Sequence, residues 1–220
     1  MNKIITFYSD THKILYEDYF LKSYKKHLSK DFILLEKKID QISPSGDFAS
    51  FGFDLTMLEK IKWILENIDL EDEGYLVFAD CDIQFFGNLE FDLGSSDILF
   101  QHDYYDRNYC AGFFVCRQNE KVLNFFKMVY DEFKASMNGK IDDQYVINNI
   151  LKNQTLDLSS GFLPFDKYWT VAFSTNGNVW SNQPVTCPKT VIMHHANFTI
   201  GVDNKITLMN IVKDILESEE

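Results

Sequence analysis

The chain has 220 residues, of which 45% are hydrophobic and 25% charged, the balance of an ordinary globular protein able to bury a sizeable core. Its net charge of −12 excludes a nucleic-acid backbone or an anionic membrane as the principal partner, and admits a small anionic ligand only where a cation screens it. The N-terminus MNKIITFYSD lacks the apolar run and cleavage site of a signal peptide, and no uncharged stretch is apolar enough to form a transmembrane segment. Four cysteines without a Cys-x-x-Cys pair read as reduced thiols, so a soluble cytoplasmic protein is expected.

In chain order, KIITFY (3–8) is a β-branched strand that runs into Ser-Asp-Thr. Residues 11–28 carry apolar positions at helical spacing, and 31–35 predict a second strand. The Ser/Gly/Pro-rich stretch 40–53 is a loop. From Asp54, the spacing of Met57, Leu58, Ile61, Ile64, Leu65 and Ile68 predicts an amphipathic helix. A buried strand at 75–79 follows, then a short one at 97–100, a polar aromatic loop QHDYYDRNY, and the apolar run AGFFVC (111–116). Asn119 caps a helix with Val122, Phe125, Phe126, Val129 and Phe133 on one face, and Asp142 caps another. Residues 191–193 form a late strand ending in His-His, and Leu208, Ile211, Val212 and Ile215 mark a closing helix. With 20 Phe, the core is expected to be phenylalanine-rich. Alternation of strands and helices predicts an α/β sheet in a single domain spanning 1–220.

The stretch YLVFADCDIQFF (75–86) carries the chemistry. Five apolar residues lead straight into Asp80 and Asp82, and a carboxylate beside a core is costly without a cation. Strand alternation predicts that the two acids share a side, about 7 Å apart at roughly 3.3 Å per residue, with Cys81 facing away. Hard carboxylates at the carboxyl end of an α/β strand suit Mg²⁺ or Mn²⁺ holding a phosphorylated ligand. A glycoside hydrolase needs carboxylates flanking the scissile bond, which neighbours on one strand do not do. A haloacid-dehalogenase type phosphatase would need a Thr where Gln84 stands, and an earlier position in the chain.

Four motifs then occur in order: YLVFADCDIQFF, CAGFFVCR, DDQYVINNIL and VIMHHANFTIG. Together they resemble the nucleotide-diphospho-sugar transferases, glycosyltransferases of the GT-A fold with an Asp-x-Asp motif, over nearly the whole chain. Cys110 departs from the pattern, since relatives often have Asn there. The resemblance implies a Rossmann-like mixed sheet, mostly parallel and flanked by helices, with a nucleotide-binding half (about 1–100) and an acceptor half (about 101–220). It implies transfer of a sugar from a nucleotide-diphosphate donor, UDP-linked by expectation, to a glycan or other hydroxyl acceptor. Asp80 and Asp82 would hold Mn²⁺ or Mg²⁺ with either His194 or His195, His195 being preferred for its fit to the following loop. Tyr8, Ser9 and Asp10 would hold the nucleoside, Lys60 the diphosphate, and Asp103 and Gly112 the donor sugar. Asp143 would be the carboxylate facing the sugar, either as base or as charge stabiliser, with Asp142 as helix cap. Trp169 and Trp180 are candidate acceptor contacts, though core burial is the commoner fate of such residues. A sugar-nucleotide nucleotidyltransferase fits less well, because no Gly- and Lys/Arg-rich loop follows the first strand. A catalytically inactive binding homologue is the remaining alternative.

Overall fold

The computed structural model describes residues 1–47, 50–104, 108–137, 141–153 and 156–218. The chain opens with β1 (Lys3–Tyr8), then a helical stretch: a 3₁₀ turn at Asp10–His12, α1 (Lys13–Leu15), a π turn at Tyr16–Phe20 and α2 (Leu21–His27). There follow β2 (Ile33–Lys38), α3 (Phe53–Asn67), β3 (Tyr75–Ala79), β4 (Ile83–Phe85), β5 (Ile98–His102) and β6 (Tyr109–Arg117). The second half continues with α4 (Glu120–Ser136), α5 (Asp143–Asn153), β7 (Ser160–Phe162), β8 (Tyr168–Thr170), α6 (Ala172–Thr175), β9 (Met193–His195) and α7 (Val202–Glu217).

Six strands form one sheet in the order β2-β1-β3-β6-β5-β7. The β1–β2, β1–β3 and β5–β7 pairs are parallel, whereas β6 runs antiparallel to both neighbours. The expected mixed, mostly parallel α/β sheet is therefore present. A second sheet, β4-β9-β8, lies outside the sequence expectation. Its strands are three residues long, too short to show a period.

One face of the large sheet packs Phe78, Phe100 and Phe114 against α3, α4 and α5, through Ile61, Phe126 and Ile147. Asn119 Oδ1 accepts from the Val122 amide at 3.0 Å, the expected cap of α4. The other face packs Val77, Ala79 and Val115 against Tyr16, Phe20 and the small sheet's Ile83, Phe85 and Met193. A third cluster joins Trp169 and Trp180 to Leu208, Met209 and Val212 of α7. Trp169 and Trp180 are only 2% and 1% exposed, so both belong to the core and not to an acceptor surface.

The loop expected at QHDYYDRNY lies partly outside the described residues, at 105–107. The late strand sits two residues further on than expected, which brings both histidines into β9. Among the described residues, no helix is long and apolar enough to cross a membrane.

Candidate active site

The functional cluster forms where β1, β3 and β9 end. β3 stops at Ala79, and Asp80 to Asp82 form the turn into β4, so strand alternation is not what aligns the two acids. Main-chain bonds do that work. The Asp80 amide extends the β3–β6 ladder by donating to the Gly112 carbonyl at 2.8 Å. The Asp82 carbonyl accepts from Ala196 at 3.0 Å, and Ile83 pairs with His195. This pairing turns the His195 ring onto the acids: Nε2 lies 3.3 Å from Asp82 Oδ1 and 3.8 Å from Asp80 Oδ2.

One ligand atom from each of Asp80, Asp82 and His195 falls within 4.8 Å of the others, a set able to hold a divalent ion. A cradle confirms the fit. A Cβ built on Gly112 would stand 2.2 Å from His195 Cε1 and 2.5 Å from Asp80 Oδ2. Gly112 thus makes room for the Asp80 carboxylate and the His195 imidazole, and it also lines the cavity in which its sugar contact is expected.

His194 is corrected as a ligand. Adjacent strand residues face opposite ways, so its ring turns to Trp169, with centroids 5.5 Å apart. Both of its ring nitrogens are buried without a hydrogen-bond partner among the described residues. Burial drops its pKa to about 3 and keeps it neutral.

Two lysines enter the cluster. Lys60, expected either to reach the diphosphate or to lie on a solvated helix face, is 2% exposed. Its Nζ stands 2.9 Å from Asp143 Oδ2 and 3.3 Å from Asp80 Oδ1, and 4.8 Å above the Phe78 ring. Burial opposes its charge, but Asp143 and Asp80 outweigh burial and hold it protonated. Lys205, in the first turns of α7, binds Asp82 Oδ2. Burial would raise the Asp82 carboxyl, but Lys205 and His195 hold it well below the usual range. Asp80 goes the other way, pushed up by burial against the pull of Lys60 and His195. For His195, burial is outweighed by Asp82, which lifts the imidazole to about 10.

Asp143 opens α5 and is 4% exposed. Asp142 Oδ1 accepts from the Tyr145 amide at 2.7 Å, acting as the cap expected of it. Both line the same cavity of about 380 Å³, with Tyr8, Ser9, Asp103 and Gly112. Tyr8 gives one face to Tyr16, stacked at 4.2 Å. Asp10 does not join them. It is exposed and pairs with Lys38 at 2.6 Å, so its expected nucleoside contact has no support from its position.

Sequence reasoning missed Lys205, Gln144, Gln41 and His12 in the cavity wall. Gln144 Oε1 accepts from the Ala111 amide at 3.1 Å, and its signal was the Asp-Gln that opens α5. Lys205 was readable only by following VIMHHANFTIG one helical turn further, where it resembles any solvated helix lysine.

Carboxylates, an imidazole and two largely enclosed ammoniums gathered at the strand ends of a mixed α/β sheet make a site suited to a divalent ion and a phosphorylated ligand. More narrowly, the model of the nucleotide-diphospho-sugar transferases matches residues 14–209, and the chain belongs to that family. Among solved structures, the galactosyltransferase LgtC in complex with donor and acceptor sugar analogues aligns over 98% of this chain and 95% of its own, at 11% identity and TM-score 0.53. GlyE of Streptococcus pneumoniae TIGR4, in its apo form, aligns at 13% identity and TM-score 0.57 over 98% of this chain and 63% of its own. Apo WbbM, a bifunctional glycosyltransferase, aligns at 12% identity and TM-score 0.57 over 94% of this chain. The chain spans about half of WbbM, 49% of its length. At these identities the likeness is one of fold. No curated sequence matches the chain significantly.

Proposed function

We propose that this protein transfers a sugar from a nucleotide-diphosphate donor, UDP-linked, to a hydroxyl of a glycan acceptor, with Mn²⁺ or Mg²⁺ held by Asp80, Asp82 and His195. The observation that carries this reading is the convergence of those three ligands around the space left by Gly112. Bound there, the ion supplies Lewis-acid neutralisation of the leaving diphosphate. Lys205 is the cation that donates to the phosphate oxygens, since its ammonium already lies on a ligand carboxylate. Tyr8 and Ser9 are the nucleoside contacts, and Asp103 the donor-sugar contact, all three being in the cavity wall.

As the acceptor oxygen bonds to the anomeric carbon, the bond from that carbon to the diphosphate oxygen breaks. Asp143 faces the sugar at this point. It either takes the acceptor's proton, giving inversion, or steadies the positive charge on the ring while the proton leaves with the diphosphate. The Lys60 ammonium holds Asp143 and Asp80 in fixed relation, so the sugar-facing carboxylate and the ion are positioned together. The cavity draws on both halves of the chain, and we assign the nucleotide to the first and the acceptor to the second. All four cysteines are unpaired, in keeping with the reducing environment of the cytoplasm.

The test is incubation with a panel of nucleotide sugars and Mn²⁺, following release of free nucleotide, with Asp82→Ala as control. Metal-dependent turnover that disappears in Asp82→Ala is expected. Turnover unaffected by chelation would sink the metal role. Nucleotide binding without transfer to any acceptor would favour an inactive homologue.

A further inference from the structure

Gln101 is a buried amide behind the ligand set, 0% exposed, with no role so far. It enters the site through an irregularity. The β5–β6 register slips between Phe100, opposite Phe114, and Gln101, opposite Cys110. Residues 111–113 of β6 are thereby passed over on the β5 side, and Gly112 is among them. Bulges of this kind re-aim side chains and gather next to active sites.

After the slip, Gln101 Oε1 stands 3.0 Å from His195 Nδ1. Its Nε2 points the other way, 3.2 Å from the Trp169 carbonyl and 3.5 Å from that of Tyr168. An amide nitrogen only donates and an amide oxygen only accepts. Reversing the group would set its oxygen against two main-chain carbonyls, so the orientation is fixed by β8. Oε1 is then an acceptor, and the proton between the two side chains sits on His195 Nδ1. Cys110 Sγ lies further off, 3.7 Å from the same nitrogen, and as a weak donor and acceptor it is the lesser partner of Nδ1 beside the amide oxygen at 3.0 Å. When the charged imidazole gives up a proton, the one held by Oε1 stays on Nδ1 and the lone pair is left on Nε2. Nε2 is the atom that faces Asp82 and Asp80.

We propose that Gln101 is the positioning residue of the metal centre: anchored to the carbonyls of β8, it locks His195 in the Nδ1–H tautomer and aims Nε2 at the ion. Metal-bound histidines generally depend on such an outer partner for ring orientation and basicity. The proposal rests on the metal-site reading above.

Two substitutions separate positioning from packing. Gln101→Met keeps the volume and removes the acceptor. Gln101→Glu keeps the acceptor and loses the bonds to β8. Mn²⁺ affinity is read from the free-ion paramagnetic resonance signal, without donor or acceptor, alongside thermal melting of each variant. Affinity is expected to fall about 10–100-fold in Gln101→Met and distinctly less in Gln101→Glu, which keeps the acceptor for Nδ1 but loses the anchor on β8. The ¹⁵N–¹H spectrum of the wild-type Mg²⁺ form should show the His195 proton on Nδ1, a readout that does not depend on either variant folding. A ring proton on Nε2, a folded Gln101→Met with native affinity, or equal losses in both variants would each overturn the proposal. Wild-type protein that binds no divalent ion would overturn the metal reading and this one with it, whereas wild-type binding with an unchanged Gln101→Met variant refutes this one alone.

Discussion

Gly112→Ala replaces one hydrogen by a methyl group, yet it should abolish ion binding at the proposed metal site. The new Cβ would lie 2.2 Å from His195 Cε1, roughly 1.2 Å inside the 3.4 Å at which ordinary contact begins. It would lie 2.5 Å from Asp80 Oδ2, about 0.9 Å too close. Gly112 lies outside the glycines of positive φ, so backbone strain does not enter, and the effect is steric. Metal ligation tolerates errors of only about 0.2 Å in ligand distance, and two of the three ligands must move several times that far. Loss of an outer-shell partner alone costs about 10–100-fold in affinity, so displacement of two ligands is expected to cost at least about 100-fold. The overpacking itself should destabilise the fold by about 1–3 kcal/mol. Mn²⁺ titration followed by the free-ion resonance signal measures the first quantity, and chemical denaturation the second. A Gly112→Ala protein that binds Mn²⁺ like wild type would refute the argument that Gly112 is there to seat the ligands.

Lys60→Met should cost about 3–5 kcal/mol in denaturation, because it strands the buried Asp143 carboxylate, and the half-buried Asp80 beside it, without their cation. Adding Asp143→Asn in the same chain should recover part of that loss, and no recovery would mean that Lys60 acts by packing alone. Lys205→Ala should weaken binding of UDP about tenfold in the presence of saturating Mn²⁺, on the scale of one charge-assisted bond, without weakening Mn²⁺ itself. A fall in Mn²⁺ affinity instead would tie Lys205 to the ligands and not to the phosphates. The pH dependence follows from His102, whose pKa burial lowers while it stacks on Phe162 at 4.2 Å. A histidine depressed in the folded state contributes stability that is complete above its unfolded pKa of about 6.5 and is lost as pH falls below it. The melting temperature should therefore drop between pH 7.5 and 5.5, and drop less in His102→Phe, which keeps the stack. An identical acid drop in both proteins would rule this contribution out.

Much of this was legible because it is local. Runs of apolar residues gave β1, β3 and β6, and helical spacing gave α3, α4 and α7; most of the positions named in advance are buried, with Leu65, Ile68, Ile211 and Ile215 half-buried at the edges of their helices. Asp80 and Asp82 stood out because acids directly after a buried strand need a reason. What escaped was non-local. The pairing of β4 with β9 joins Ile83 to His195 across more than a hundred residues, and strands of three residues leave no periodic trace. Lys60 read either as a diphosphate contact or as a surface lysine, for nothing in its own helix shows that Asp143 will arrive over it.

The sequence by itself determined the α/β layering, the metal-seeking acids and the order of the motifs, since hydrophobic period and residue chemistry are properties of neighbours along the chain. His195 was already preferred over His194 from the loop that follows it, but only the tertiary structure turned its ring to the acids, turned Asp10 out to Lys38, sank both tryptophans into the core and set Gln101 behind His195. Those outcomes depend on which strand edges meet and which face of each strand then turns inward, and that is fixed by hydrogen bonds between segments the sequence keeps far apart.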